Sequence, residues 1–215
     1  ETIALNEVTL WSGQEAPEAN NICGPDKLKV MREAFLAGDL AKGNDLGWKY
    51  LSGHGKSFGT HLPFGDLKIK YLSGDGDVSD YKRTLDMNQA VAIVSFQRNG
   101  VKYRNEYFTS NPDQVSVVKL TANKKKSISF SLSMDMLRHN QIWVSDNTLD
   151  IKGDARFNKN GAGGVKFRGM VRVFPKGGSV SHDGKSITVK NADEVVVLAD
   201  VRTDFHNPGY ENQCA

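Results

Sequence analysis

A succession of short alternating runs, broken by turn residues and centred on an Asn-Gly pair, restricts the fold of this chain most. Ala90 to Arg98 leads through Asn99-Gly100 into Val101 to Phe108. Between two runs of period two this dipeptide specifies a hairpin, because a type I′ turn needs positive φ at both central residues. Comparable runs fall at 66–72, 81–85, 115–121, 127–134, 141–153, 165–174, 178–182, 186–190 and 194–203. Pro175-Lys176-Gly177-Gly178 and His182-Asp183-Gly184-Lys185 supply turn chemistry between the later ones. Ten or so strands are more than one open twisted sheet usually carries, so the chain is expected to be all-β, folded as a two-sheet antiparallel sandwich.

Residues 26–51 depart from this rhythm. Leu28, Met31, Phe35 and Leu36 fall at helical spacing, with Asp26 as the expected N-cap after Pro25 and Gly38 just past the C-terminus. A second helical segment is expected from Asp39 to Leu51, weakened by Gly43 and Gly47 at about 1 kcal/mol each relative to alanine. The reading is a short helical insertion in a β domain, packed on one sheet or against a neighbour missing from this sequence.

With 215 residues, 39% hydrophobic and 25% charged, the chain has the makings of one large core rather than of a disordered segment. One domain is expected over residues 1–205, with 206–215 leaving it as the start of a linker. The 28 basic and 25 acidic residues are dispersed; Lys124-Lys125-Lys126 reads as a solvated turn, so no nucleic-acid partner is expected. No apolar run approaches the ~18 residues of a membrane-spanning helix. Cys23 and Cys214 leave a disulfide and two free thiols both open.

The histidines His54, His61, His139, His182 and His206 show no paired spacing for a metal, and Asp75, Asp77 and Asp80 lack the downstream glutamate of a calcium loop. No metal or other cofactor is expected. Ser12, in Trp-Ser-Gly, lacks the Gly-x-Ser-x-Gly setting of a nucleophile. The chemistry concentrates instead in Leu5-Asn6-Glu7-Val8-Thr9-Leu10-Trp11-Ser12-Gly13, where an amide, a carboxylate, a hydroxyl and an indole are within six residues. Such groups read sugars. Glycoside hydrolysis needs two carboxylates about 5 to 9.5 Å apart, and the sequence offers no second one for Glu7. Asn6, Glu7, Thr9 and Trp11 therefore stand as candidates for sugar or domain-interface contact, beside the reading that Glu7 and Trp11 merely lock a turn at a strand end. With no strand or leader before it, the segment is expected to belong to a larger protein.

That segment resembles the LNE-x-TLWSG signature of glycoside hydrolase family 95, the inverting α-L-fucosidases and related α-L-galactosidases. Pro63-Phe64-Gly65-Asp66-Leu67, Asp80-Tyr81-Lys82-Arg83-Thr84-Leu85-Asp86 and Ser110-x-Pro112-Asp113-Gln114-Val115 are similar to further elements of that family. The likeness runs over roughly residues 3–205, most weakly over 134–164, and implies the family's N-terminal β-supersandwich. Three departures accompany it: the strand pair expected before Ile3 is missing, the Trp-Ser-Gly-Gly-Pro turn reads Trp11-Ser12-Gly13-Gln14-Glu15-Ala16-Pro17, and no (α/α)6 barrel follows Ala215. In that family the catalytic acid, base and assisting asparagines belong to the barrel, so the resemblance gives no catalytic residue to this chain. It implies a non-catalytic domain that packs on the barrel as its partner, shapes the entrance for a fucosylated or galactosylated glycan, and is secreted or periplasmic. The alternative is a free-standing carbohydrate-binding or adhesive sandwich.

Overall fold

The computed structural model describes residues 1–13, 24–51, 59–72, 74, 76–136, 140–156 and 163–214. Among them the chain forms thirteen strands, two α-helices and one 3-10 turn: β1 (Thr2–Leu5), α1 (Pro25–Leu36), α2 (Leu40–Tyr50), β2 (Gly65–Tyr71), β3 (Val78–Asp86), β4 (Val91–Arg98), β5 (Val101–Ser110), β6 (Val115–Ala122), β7 (Ile128–Asp135), β8 (Asn140–Ser145), β9 (Thr148–Asp154), β10 (Lys166–Lys176), β11 (Ser179–His182), β12 (Ser186–Ala192), β13 (Glu194–Thr203) and the turn at Tyr210–Asn212. A five-stranded sheet, ordered β1-β2-β7-β12-β11, faces an eight-stranded one, ordered β3-β4-β5-β6-β13-β10-β9-β8. The observed pairings are antiparallel, as expected for an all-β sandwich.

Alternation explains the core. On β7, Ile128, Phe130, Leu132 and Met134 point inward while the serines between them point out. Burying each such side chain stabilises by roughly 1.5–3 kcal/mol. They meet Leu120, Val195, Val197, Val171 and Val173 of the opposing sheet in one continuous cluster. At the centre of β4–β5, Asn99 and Gly100 take φ of 50° and 75°, the type I′ pattern their sequence demands. Residues 141–153, read as one run, are a hairpin: β8 and β9 turn at Asp146-Asn147, with Asp146 at φ 53°.

One polar node interrupts the apolar layer. Asn105, fully buried on β5, donates to both carboxylate oxygens of Glu1 at 3.0 Å and accepts from the Tyr71 hydroxyl at 2.9 Å. The Tyr107 hydroxyl also donates to Glu1. Burial, followed by the nearby Glu1 carboxylate, pushes both phenols above their usual range, which keeps them protonated as donors.

The expected helical insertion is present, with one correction. Asp26 is not the N-cap: Gly24 occupies that position without a side-chain cap, Pro25 is the first helical residue, and Asp26 lies in the first turn, where a carboxylate suits the helix dipole. The two helices pack chiefly on each other rather than on a sheet. Gly43, which weakens α2 by propensity as Gly47 does, makes that packing close: a Cβ on it would fall 2.5 Å from the Phe35 ring, whereas one on Gly47 would sit in ordinary contact, 3.6 Å from Met31 Sδ. Asp39 caps α2 by accepting from the Lys42 amide at 3.0 Å.

After β13 the chain folds back on the outer face of the eight-stranded sheet. Tyr210 and Cys214 are buried there, and the Cys214 thiol lies 3.5 Å from the Arg168 carbonyl and 3.7 Å from that of Asp200. Burial, then the Asp200 carboxylate, pushes that thiol up to about 12. Cys23, and with it the question of pairing, lies outside the described residues, as do His54 and His139.

Candidate functional site

The segment after β1 is a turn held from within and from both sides. Leu5 ends the strand, its carbonyl accepting from the Phe64 amide at 3.0 Å, and the Leu10 amide closes the turn on the Glu7 carbonyl at 3.0 Å. Glu7 Oε1 accepts from the Thr9 amide at 3.2 Å and the Thr9 hydroxyl at 2.9 Å. Thr9 Oγ1 also stands 2.5 Å from Thr203 Oγ1, which ties the turn to the end of β13.

Leu10 then plunges into the core, and Ser12 is buried with it. The Ser12 amide donates to the Thr60 carbonyl at 3.0 Å while its hydroxyl accepts from the Thr60 amide at 2.9 Å. On the other flank the Trp11 carbonyl accepts from the Val165 amide at 3.0 Å. The crossing is so close that only glycine fits at position 59: its φ is +69°, and a Cβ there would fall 1.5 Å from the Ser12 carbonyl oxygen.

The four residues singled out by sequence are brought to one turn but point to different tasks. Trp11 is 43% exposed; its indole donates to the Val8 carbonyl at 3.0 Å, and its ring meets His61 edge-on at 5.8 Å. His61 Nε2 stands 3.0 Å from the Glu7 carbonyl, which can only accept, so Nε2 carries the proton. Thr9 is occupied inside the turn. Asn6 and Glu7 instead line a cleft of about 220 Å³ that also includes Thr109, Asn111, Gln114 and Ser116. Those four were missed as site residues, although the Ser110 to Val115 motif that carries two of them stood out in the sequence; nothing local shows that β5–β6 ends beside Asn6.

A larger groove, about 630 Å³, lies between Thr2 and Ile3 of β1 and the strands β3 to β5, with Tyr81, Leu85, Ala92 and Tyr107 among its walls. Its lining is mostly apolar, and among the described residues Arg83 is its one cationic side chain. Among the described residues no three His, Cys, Asp or Glu side chains converge on a metal position.

The fold is thus a large antiparallel sandwich that carries a polar turn and a cleft where β1 meets the end of β5–β6. The chain belongs to the family described as glycosyl hydrolase family 65, N-terminal domain, whose model matches residues 1–208. It is 29% identical over 230 residues to "Alpha-L-fucosidase 2" of Arabidopsis thaliana, covering 97% of this chain and 27% of that protein. It is 24% identical over 214 residues to "Probable alpha-fucosidase A" of Aspergillus oryzae, covering 95% and 29%. The chain thus spans under a third of the length of either relative. Among solved structures, a putative kojibiose phosphorylase from the human microbiome is similar over 72% of this chain and 25% of its own, with a TM-score of 0.44 and 13% identity.

Proposed function

We propose that this chain is the non-catalytic N-terminal domain of an α-L-fucosidase-like hydrolase of family 95, secreted or periplasmic, that packs on a helical barrel and shapes the substrate entrance. The observation that carries the reading is the match to a fucosidase along 97% of this chain but only 27% of the relative, which leaves most of such an enzyme to supply the reaction. The site chemistry agrees with an accessory role. Glu7 spends one carboxylate oxygen on its own turn, and Trp11 and Val8 present an apolar surface beside it.

A chromogenic α-L-fucoside tests this directly: the chain alone should release no chromophore above blank, while the longer polypeptide containing it hydrolyses the substrate. Turnover by the chain overturns the non-catalytic role. In the longer enzyme, an unchanged kcat/KM after Trp11→Ala overturns the part given to the entrance. A second reading, a free-standing carbohydrate-binding module, draws on the exposure of Trp11, since an indole beside polar groups suits stacking on a sugar face.

A further inference from the structure

We propose that the cleft between the Asn6-Glu7 turn and the β5–β6 turn binds one pyranose ring of a neutral saccharide. The proposal needs no barrel, since an accessory domain and a free module would use the cleft alike.

Its size fits a single ring. At about 220 Å³ it lies below the roughly 300 Å³ at which pockets for drug-sized ligands begin. Its surfaces are divided as a sugar's are. Leu5, Val115, Ala199 and Val201 give an apolar floor, matching the C–H face of a pyranose, and the rim is polar. On that rim Asn6 is exposed with no hydrogen-bond partner among the described residues, and Glu7 keeps its second carboxylate oxygen open in the same way. An amide beside a carboxylate oxygen offers a donor and acceptors to adjacent hydroxyls. The Glu7 charge also repels anionic sugars. The guanidinium beside this turn, Arg202, is paired with Asp200 at 2.8 Å and lies 3.5 Å from the Gln114 carbonyl oxygen.

Gln114 is the most telling member. It closes the β5–β6 turn at φ 57°, a conformation in which glycine or asparagine is at ease and glutamine is costly. Its side-chain amide is fixed by donation to the Asn111 carbonyl at 2.5 Å and the Asn111 side-chain oxygen at 3.0 Å. The Ser110 hydroxyl donates to Asp113 at 2.5 Å and stiffens the same turn. The amide oxygen of Gln114 is thereby held ready to accept, with little rotamer freedom left to lose on binding.

The test is a titration of the isotope-labelled 215-residue chain, followed through its side-chain amide signals, with methyl α-L-fucopyranoside, methyl α-D-glucopyranoside and glucuronate. Saturable shifts of Asn6, Asn111 and Gln114 with at least one neutral glycoside, and none with glucuronate, are expected. Gln114→Gly should weaken that binding about tenfold, the loss of one good hydrogen bond, and it relieves rather than strains the turn, so the domain stays folded. The proposal is overturned if neither neutral glycoside gives saturable shifts, if the shifts centre on Trp11 and His61, if glucuronate binds equally well, or if Gln114→Gly changes nothing. None of these outcomes bears on fucoside turnover by the longer enzyme, which tests the accessory role separately.

Discussion

Strand β7, at the centre of the five-stranded sheet, buries Ile128, Phe130 and Leu132 completely, whereas the α1–α2 hairpin leaves Leu36, Leu40 and Trp48 at 85%, 63% and 75% exposure. Both stretches carry large apolar side chains at the period proper to their element. The difference lies in what each faces. β7 has hydrogen-bonded neighbours on both edges and a second sheet across its inner face, while each helix has chiefly the other. Periodicity thus fixes which side of an element is apolar, and only the long-range arrangement decides whether that side is covered.

The sharpest way to break the comparison is Phe130→Ala. A fully buried phenylalanine with neighbours on all sides should cost about 3–5 kcal/mol, read as a lower urea midpoint with an unchanged slope. A loss under 1 kcal/mol would mean that the core collapses around the gap. Gly43→Ala probes the helices. Alanine gains about 1 kcal/mol by propensity, but its Cβ would fall 2.5 Å from the Phe35 ring, and overpacking costs about 1–3 kcal/mol. Faster amide exchange in both helices, at an unchanged global midpoint, is the expected result; a global shift would place the hairpin in the same cooperative unit as the sandwich. Leu36→Gln, at a site mostly in solvent, should alter stability by no more than about 0.5 kcal/mol in the same urea experiment.

How much of this could be read beforehand follows the same division. The Asn99-Gly100 hairpin was legible because its turn chemistry is local, and so was the alternation that makes β7 two-faced. The β8–β9 hairpin was not, because Asp146-Asn147 carries no glycine to mark its turn. The Asp26 cap failed for a related reason: Pro25 is itself a good first helical residue and moved the start by two positions. At the site, the bonds from Glu7 to Thr9 span two residues and lay within reach of sequence reasoning. The contacts of Thr9 with Thr203, of Ser12 with Thr60, and of the Asn6 turn with the Gln114 turn join residues 48 to 194 positions apart, or strands from opposite sheets. No local pattern encodes them.

Strand β3 has a bearing on how copies of this molecule tolerate one another in solution. It is the long open margin of the eight-stranded sheet, exposed along nearly its whole length, and an unpaired margin of that kind is a template on which identical chains can zip together. Here the template is spoiled. Its register slips between Ser79 and Lys82, where Asp80 turns to φ 51°, and Asp80, Lys82 and Arg83 place charges of both signs along it. Among the described residues the margins of the smaller sheet, β1 and β11, are four residues each. On β3 the slipped register and the charges of both signs thus oppose pairing with a second copy, although the strand itself is bare.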